Sequence, residues 1–191
     1  TRQHPLFYAL LASLYQEEDQ KDKAQKILEQ GRTTFPQNIL LLHEYAQFLE
    51  RNNRHLDAFN IMQQVLELNG DDAEALNFIG YSWADRNMNL EQAHQYILRA
   101  IELEPKSGYI RDSLGWVLFR LGKIKEAQQE LLQAVAIESG DPHIYEHLGD
   151  VHATLGLFEK AKEFYLQGLK KSRSPEHTQR IQQKIDEITT P

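Results

Sequence analysis

The sequence predicts an all-α protein built as a row of antiparallel helix pairs. Three series of positions carry that prediction. Ala24, Ala58, Ala93, Ala127 and Ala161 recur at spacings of 34, 35, 34 and 34 residues. Roughly twelve residues ahead of each stands a second small residue, at Ala12, Ala46, Gly80, Gly115 and Gly149. Between the two series fall Asp19, Asn53, Asn87, Gly122 and Gly156, types that tolerate the left-handed backbone of a tight helix–helix turn. Self-similarity at such a period marks an array of supersecondary units rather than one globular core.

The helices follow in order along the chain. Leu10, Leu11, Leu14 and Tyr15 recur at three- and four-residue spacing, the signature of one helix face. Asn38 and Asp72 are placed to cap the next two helix pairs, and Pro36 and Pro105 sit between successive repeats. Leu114, Val117, Leu118 and Leu121 form one stripe, and Ile124, Ala127, Leu131 and Ala134 the next. Asp141-Pro142 and Ser174-Pro175 each offer a cap oxygen followed by proline at the first helical position, where its missing N–H costs nothing. Ile181, Ile185 and Ile188 put one apolar stripe on an otherwise polar final segment, as expected of a helix that closes the array. Leu6, Phe7 and Leu10 have no such lid before them, and the chain starts at Thr1, so an excised or processed segment with further repeats upstream is expected. Sustained period-two alternation is missing throughout, so no sheet is expected.

Composition narrows the function. The 191 residues carry 21 Lys+Arg against 28 Asp+Glu, a formal net charge of −7, which argues against nucleic-acid binding. With 0 cysteines, a disulfide framework, a thiolate metal site and a cysteine nucleophile are all excluded for these residues. No apolar run approaches the roughly 20 residues needed to cross a bilayer as a helix. Membrane attachment is expected only through a lipid anchor upstream.

In this register the residues resemble the tetratricopeptide (TPR) family, whose 34-residue repeat reads W-x₂-L-G-x₂-Y, then A-x₃-F, A and P. The first repeat matches with Tyr8, Leu11, Ala12, Tyr15, Ala24, Leu28, Gly31 and Pro36. The third matches with Leu76, Ile79, Gly80, Trp83, Ala93, Ile97, Ala100 and Pro105, and the fifth with Tyr145, Leu148, Gly149, His152, Ala161, Tyr165 and Gly168. The fourth departs at Arg111, where the first aromatic is expected. The resemblance implies a right-handed TPR superhelical solenoid of five helix-turn-helix repeats plus a C-terminal capping helix. Its repeats are 5–38, 39–72, 73–107 with one extra residue in the turn near Met88–Leu90, 108–141 and 142–175, followed by the cap at 176–191.

The resemblance also implies a concave groove lined by the first helix of each pair, with contacts from repeat positions 2, 5, 9, 12 and 13. Carried onto this sequence, the candidate partner contacts are Asn77, Tyr81, Tyr109, Asp112, Trp116, Phe119, Arg120 and His143. Trp116 stands at position 9, where a side chain faces the groove; the competing reading packs it between neighbouring first helices. Aromatics and arginine dominate binding hot spots. Trp83, at position 11, is expected in the core. The lysine and asparagine pattern with which one TPR subclass grips chaperone C-termini is not matched, so no such carboxylate clamp is expected. The expected ligand is another protein or peptide.

His143-Ile144-Tyr145-Glu146-His147 matches H-x-x-E-H, the inverted zinc-protease signature. His143 and His147 at i and i+4 share a helix face and define a rival metal-binding or metallopeptidase reading, with Asp150, His152 or His177 as third ligand. The motif lies inside a repeat whose register Tyr145, Leu148 and Gly149 already set, and no nucleophile has an evident base. No enzyme activity, resident metal or cofactor is therefore expected. A third reading is self-assembly through the uncovered first repeat.

A narrower resemblance covers 76–134. The strings from Leu76 to Arg86 and from Ile110 to Gly122, including "DSLGWVLFRLG", are similar to the C-terminal repeats of bacterial TPR lipoproteins at the outer membrane, facing the periplasm. This implies an adaptor that presents a partner to a carboxyl-terminal processing protease or another envelope complex.

Overall fold

The computed structural model describes residues 4–189; the final two residues of the expected capping helix, 190–191, lie outside them. The described residues form eleven α-helices and no strand. They are α1 (Pro5–Glu17), α2 (Lys21–Thr34), α3 (Ile39–Arg51), α4 (His55–Leu68), α5 (Ala73–Asp85), α6 (Leu90–Leu103), α7 (Gly108–Arg120), α8 (Ile124–Ile137), α9 (Pro142–Thr154), α10 (Phe158–Lys171) and α11 (Pro175–Thr189). Two compact units share them, the first ending at Ile79 and the second beginning at Gly80, within α5.

The turns adopt the backbone their residue types permit. Asp19, Asn53, Asn87, Gly122 and Gly156 take φ of 55°, 60°, 55°, 76° and 72°, all left-handed. The turn between α5 and α6 holds one more residue than the others and adds a second left-handed position, Asn89, at φ 46°. Caps set the first helices. Asn38 Oδ1 accepts from the N–H of Leu41 at 3.1 Å, Asp72 Oδ1 from Ala75 at 3.0 Å, and Asp141 Oδ1 from His143 at 2.8 Å. Ser174 Oγ accepts from His177 at 3.3 Å, and Ser107, not singled out in the sequence, caps α7 through Ile110 at 3.2 Å. These oxygens satisfy amide donors that have no partner inside their helix.

In the first unit α1 packs on α2 and α3, and α3 on α4. Its interior is Ala12, Ala24, Leu28, Leu41, Leu49, Ala58, Met62 and Val65, all at or near zero exposure. The outer face of α1 leaves Leu6, Phe7, Leu10 and Leu14 about half exposed. In the second unit α7 packs on α8, α9 on α10, and α11 closes against α10. Ile97, Leu114, Val117, Leu131, Ile144, Leu148 and Val151 fill it, and Ile181 and Ile185 of α11 join Ala161 and Tyr165. The series of small residues is where paired helices come closest. A β-carbon at Gly80 would stand 2.7 Å from Ile97 Cγ1, at Gly115 2.5 Å from Leu131 Cγ, and at Gly149 2.2 Å from Tyr165 Cε1. Trp83 corrects the sequence-based expectation. It is only half-buried, set against Tyr96 of α6 with ring centroids 5.2 Å apart, because it packs on the side of its paired helix rather than in the fully enclosed interior.

Candidate partner-binding wall

Within the second unit the first helices touch one another along one wall. Asp112 of α7 receives His147 of α9, with Nδ1 2.9 Å from Oδ1 and 3.1 Å from Oδ2. Both side chains are 6% exposed, so the pair is shielded from water. Burial works against charge on His147, but the Asp112 carboxylate outweighs it and holds the imidazole pKa above its ordinary value. The imidazole ring stacks on Trp116, centroids 4.4 Å apart and 18° from parallel, and Tyr81 of α5 lies 6.4 Å from the same ring. Phe119 continues the stack at 5.2 Å, and the Arg120 guanidinium lies over the Trp116 face at 5.6 Å. The guanidinium contact uses the negative face of the indole. Burial and the carboxylates of Asp85 and Asp112 raise the Tyr81 phenol, so it stays a neutral donor.

The eight sequence-derived contacts divide by exposure. Tyr109 and His143 are exposed, and Tyr81, Phe119 and Arg120 are half-buried. Asn77, in the first unit, is 1% exposed and Asp112 4%. Trp116 is 8% exposed, which corrects the expectation that its ring looks into open solvent: His147, Phe119 and Arg120 enclose it. Asp112, Trp116 and His147 thus form the buried support of the wall, and the other second-unit residues its surface.

Sequence reasoning missed a second cluster. Glu146 of α9 accepts from Arg180 at 2.9 and 2.8 Å, from His177 at 2.8 Å, and pairs with Lys184 at 2.7 Å. Lys184 also donates to both oxygens of Asp150 at 2.8 and 2.6 Å, and the Tyr165 hydroxyl donates to Asp150 at 2.6 Å. Burial would raise the Glu146 pKa, but Arg180 and Lys184 overcome it and hold the carboxyl far below its ordinary range. Arg180 and Lys184 stand four apart beside Ile181 and Ile185, a one-face spacing visible in the sequence; their acidic counterparts were not. In the first unit His43 plays a related part, with Nε2 3.1 Å from Asp72 and Nδ1 3.3 Å from Glu74. Burial pulls it down, yet the two carboxylates drive its pKa up to about 9.

Most residues of the metal reading are engaged elsewhere. His147 is committed to Asp112, and Asp150 to Lys184 and Tyr165. His152 sits 2.7 Å from the Leu148 carbonyl through Nδ1 and 2.9 Å from Gln128 through Nε2. His143, Glu146 and His177 do offer ligand atoms within 4.8 Å of one another. However, the His143 and His177 rings stack 4.1 Å apart and 7° from parallel. In-plane lone pairs of parallel rings do not converge on one ion about 2 Å from each nitrogen. Glu146 is moreover already neutralised by two cations.

A tetratricopeptide-repeat family model matches residues 113–175 and a second matches 6–31. A TPR repeat-containing protein of Pseudomonas aeruginosa is 32% identical over 117 residues, 61% of this chain. The alignment spans only 20% of that longer protein. A thermophilic TPR protein of Thermus thermophilus superposes with TM-score 0.75 at 18% identity, covering 95% of this chain and 99% of that one. PilW, a widely conserved type IV pilus biogenesis factor, superposes with TM-score 0.77 at 16% identity, covering 98% and 91%. A TPR protein of Parabacteroides merdae gives TM-score 0.76 at 18% identity, covering 95% and 71%. Period, turns, close-packed small residues and relatives agree: the chain contains tetratricopeptide repeats.

Proposed function

We propose that this chain is a non-catalytic scaffold that holds a partner protein on the first-helix wall of its second unit. The observation behind this reading is the graded exposure at that wall. Tyr109, Phe119, Tyr81, Arg120 and His143 stand open or half-open over the buried Asp112–His147–Trp116 support. Side chains held from behind lose little freedom on binding, so their contacts are worth more. TPR scaffolds are generally non-catalytic and bind protein partners. The resemblance of 76–134 to periplasm-facing lipoproteins makes an envelope or protease adaptor the narrower form of the proposal.

Partner capture from cells of the source organism, compared between wild type and Tyr109→Ala/Phe119→Ala, tests it. A protein retained by wild type and lost by the variant, with unchanged thermal melting, supports the wall. Equal retention by both rejects it. A second reading, self-association, is favoured by the exposed Leu6, Phe7, Leu10 and Leu14 of α1. Light scattering across concentration decides it; a monomer throughout removes it.

A further inference from the structure

The wall carries a cation with no ion pair and a donor with no acceptor among the described residues. Arg120 forms no ion pair or hydrogen bond among the described residues; its guanidinium rests only on the Trp116 ring. The buried and half-buried carboxylates nearby are matched: Asp112 by His147, Glu146 by Arg180 and Lys184, and Asp150 by Lys184. The Trp116 Nε1–H is buried and has no acceptor among the described residues. Buried polar groups are nearly always hydrogen-bonded, so an orphaned donor calls for a reason. Indole offers a donor only and guanidinium donors only, so what completes both is an acceptor, and next to a guanidinium a charged one.

Building on the proposed wall, we propose that Arg120 and Trp116 form a subsite for a carboxylate of the partner. The guanidinium fork matches the two oxygens of a carboxylate, and the indole N–H adds a third donor. Nε1 is closed to water, so an acceptor reaches it only when a neighbouring side chain gives way. Arg120 is the one able to do so, on a flexible stem with no ion pair to hold it. Phe119 supplies the apolar shoulder, favouring an acidic residue beside a hydrophobic one. The donors differ from those of the chaperone-tail clamp: both belong to one repeat and one is an indole.

The carboxylate has two sources, an acidic side chain or a chain terminus, and two arrays of random 12-residue peptides separate them. One array carries internal Asp or Glu with amidated C-termini; the other lacks acidic residues and keeps a free C-terminal carboxylate. Wild-type protein is expected to select from at least one array, and the array that yields binders names the source. Affinity for selected peptides should fall about tenfold or more in Arg120→Gln and partly recover in Arg120→Lys, as expected for loss of a charge-assisted bond. Trp116→Phe keeps the ring, removes the N–H and should weaken the same peptides about threefold to tenfold. The indole Nε1–H resonance of Trp116 should shift on binding in wild type. Affinity that is unchanged when the carboxylate of a selected peptide is converted to its amide, or unchanged in Arg120→Gln, overturns the subsite while leaving the wall standing. Absence of any binder in both arrays overturns the subsite, while the capture experiment judges the wall independently.

Discussion

Gly149→Ala probes the packing principle of the whole array at its tightest point. The added methyl would stand 2.2 Å from Tyr165 Cε1, 2.3 Å from Cδ1 and 2.8 Å from Cζ. Ordinary carbon contacts are about 3.5–4 Å, so the ring must move by more than an ångström. Tyr165 is 2% exposed, and its hydroxyl holds Asp150 at 2.6 Å. Overpacking costs about 1–3 kcal/mol, and a strained or lost bond to a carboxylate about 1.5–3 kcal/mol. Alanine in a helix interior returns about 1 kcal/mol relative to glycine. The net expectation is a loss of about 2–4 kcal/mol from the second unit.

The same repeat position holds Ala12 and Ala46 in the first unit, where the second helices carry Leu28 and Met62 in place of Tyr165. Adding Tyr165→Leu to Gly149→Ala recreates the pairing of the first repeat. It should recover part of the loss, with a coupling energy of about 1–3 kcal/mol in the double-mutant cycle. Repeat arrays need not unfold in one step. The assay is therefore urea unfolding together with amide exchange resolved onto α9 and α10. A Gly149→Ala protein as stable as wild type, or additive behaviour in the cycle, would refute close approach as the reason for glycine here.

His43 has a folded pKa of about 9 against an ordinary 6.5, so its pairing stabilises fully below about pH 6.5 and fades as pH rises to about 9. Amide exchange in α3 should accelerate over that window in wild type and show no such step in His43→Gln; matching profiles would contradict the assignment. Glu146 is shifted the other way, so its contribution is present above its ordinary pKa of 4.5 and lost as pH falls toward the folded value. At neutral pH, Lys184→Met should loosen α11 by about 1–3 kcal/mol, seen as faster exchange in α11 with α3 unchanged. Zinc titrated calorimetrically should give no tight stoichiometric isotherm; one that disappears in His143→Ala would revive the metal reading.

Much of this architecture was legible in the chain itself because repetition multiplies weak signals. One Asp or Asn says little about a turn, but Asp19, Asn53 and Asn87 in register with Gly122 and Gly156 mark the same left-handed position five times. Cap residues carry their own local chemistry, so Asn38, Asp72, Asp141 and Ser174 could be identified without knowing any tertiary contact. Ser107 does the same work for α7 without standing out in the sequence.

What amino-acid order alone determined is the helical hairpin, its length, its turn and the small side chains that let its two helices meet. These depend on neighbours a few residues apart and on a period. Tertiary structure alone decided which polar groups face each other across about 30 residues: Asp112 with His147, Glu146 with Arg180 and Lys184, and His43 with Asp72 and Glu74. It also decided that Trp116 lies beneath the wall rather than upon it. A repeat position specifies the direction in which a side chain leaves its helix. Whether water or a neighbouring ring meets it there depends on how closely the next helix packs, which no local pattern encodes.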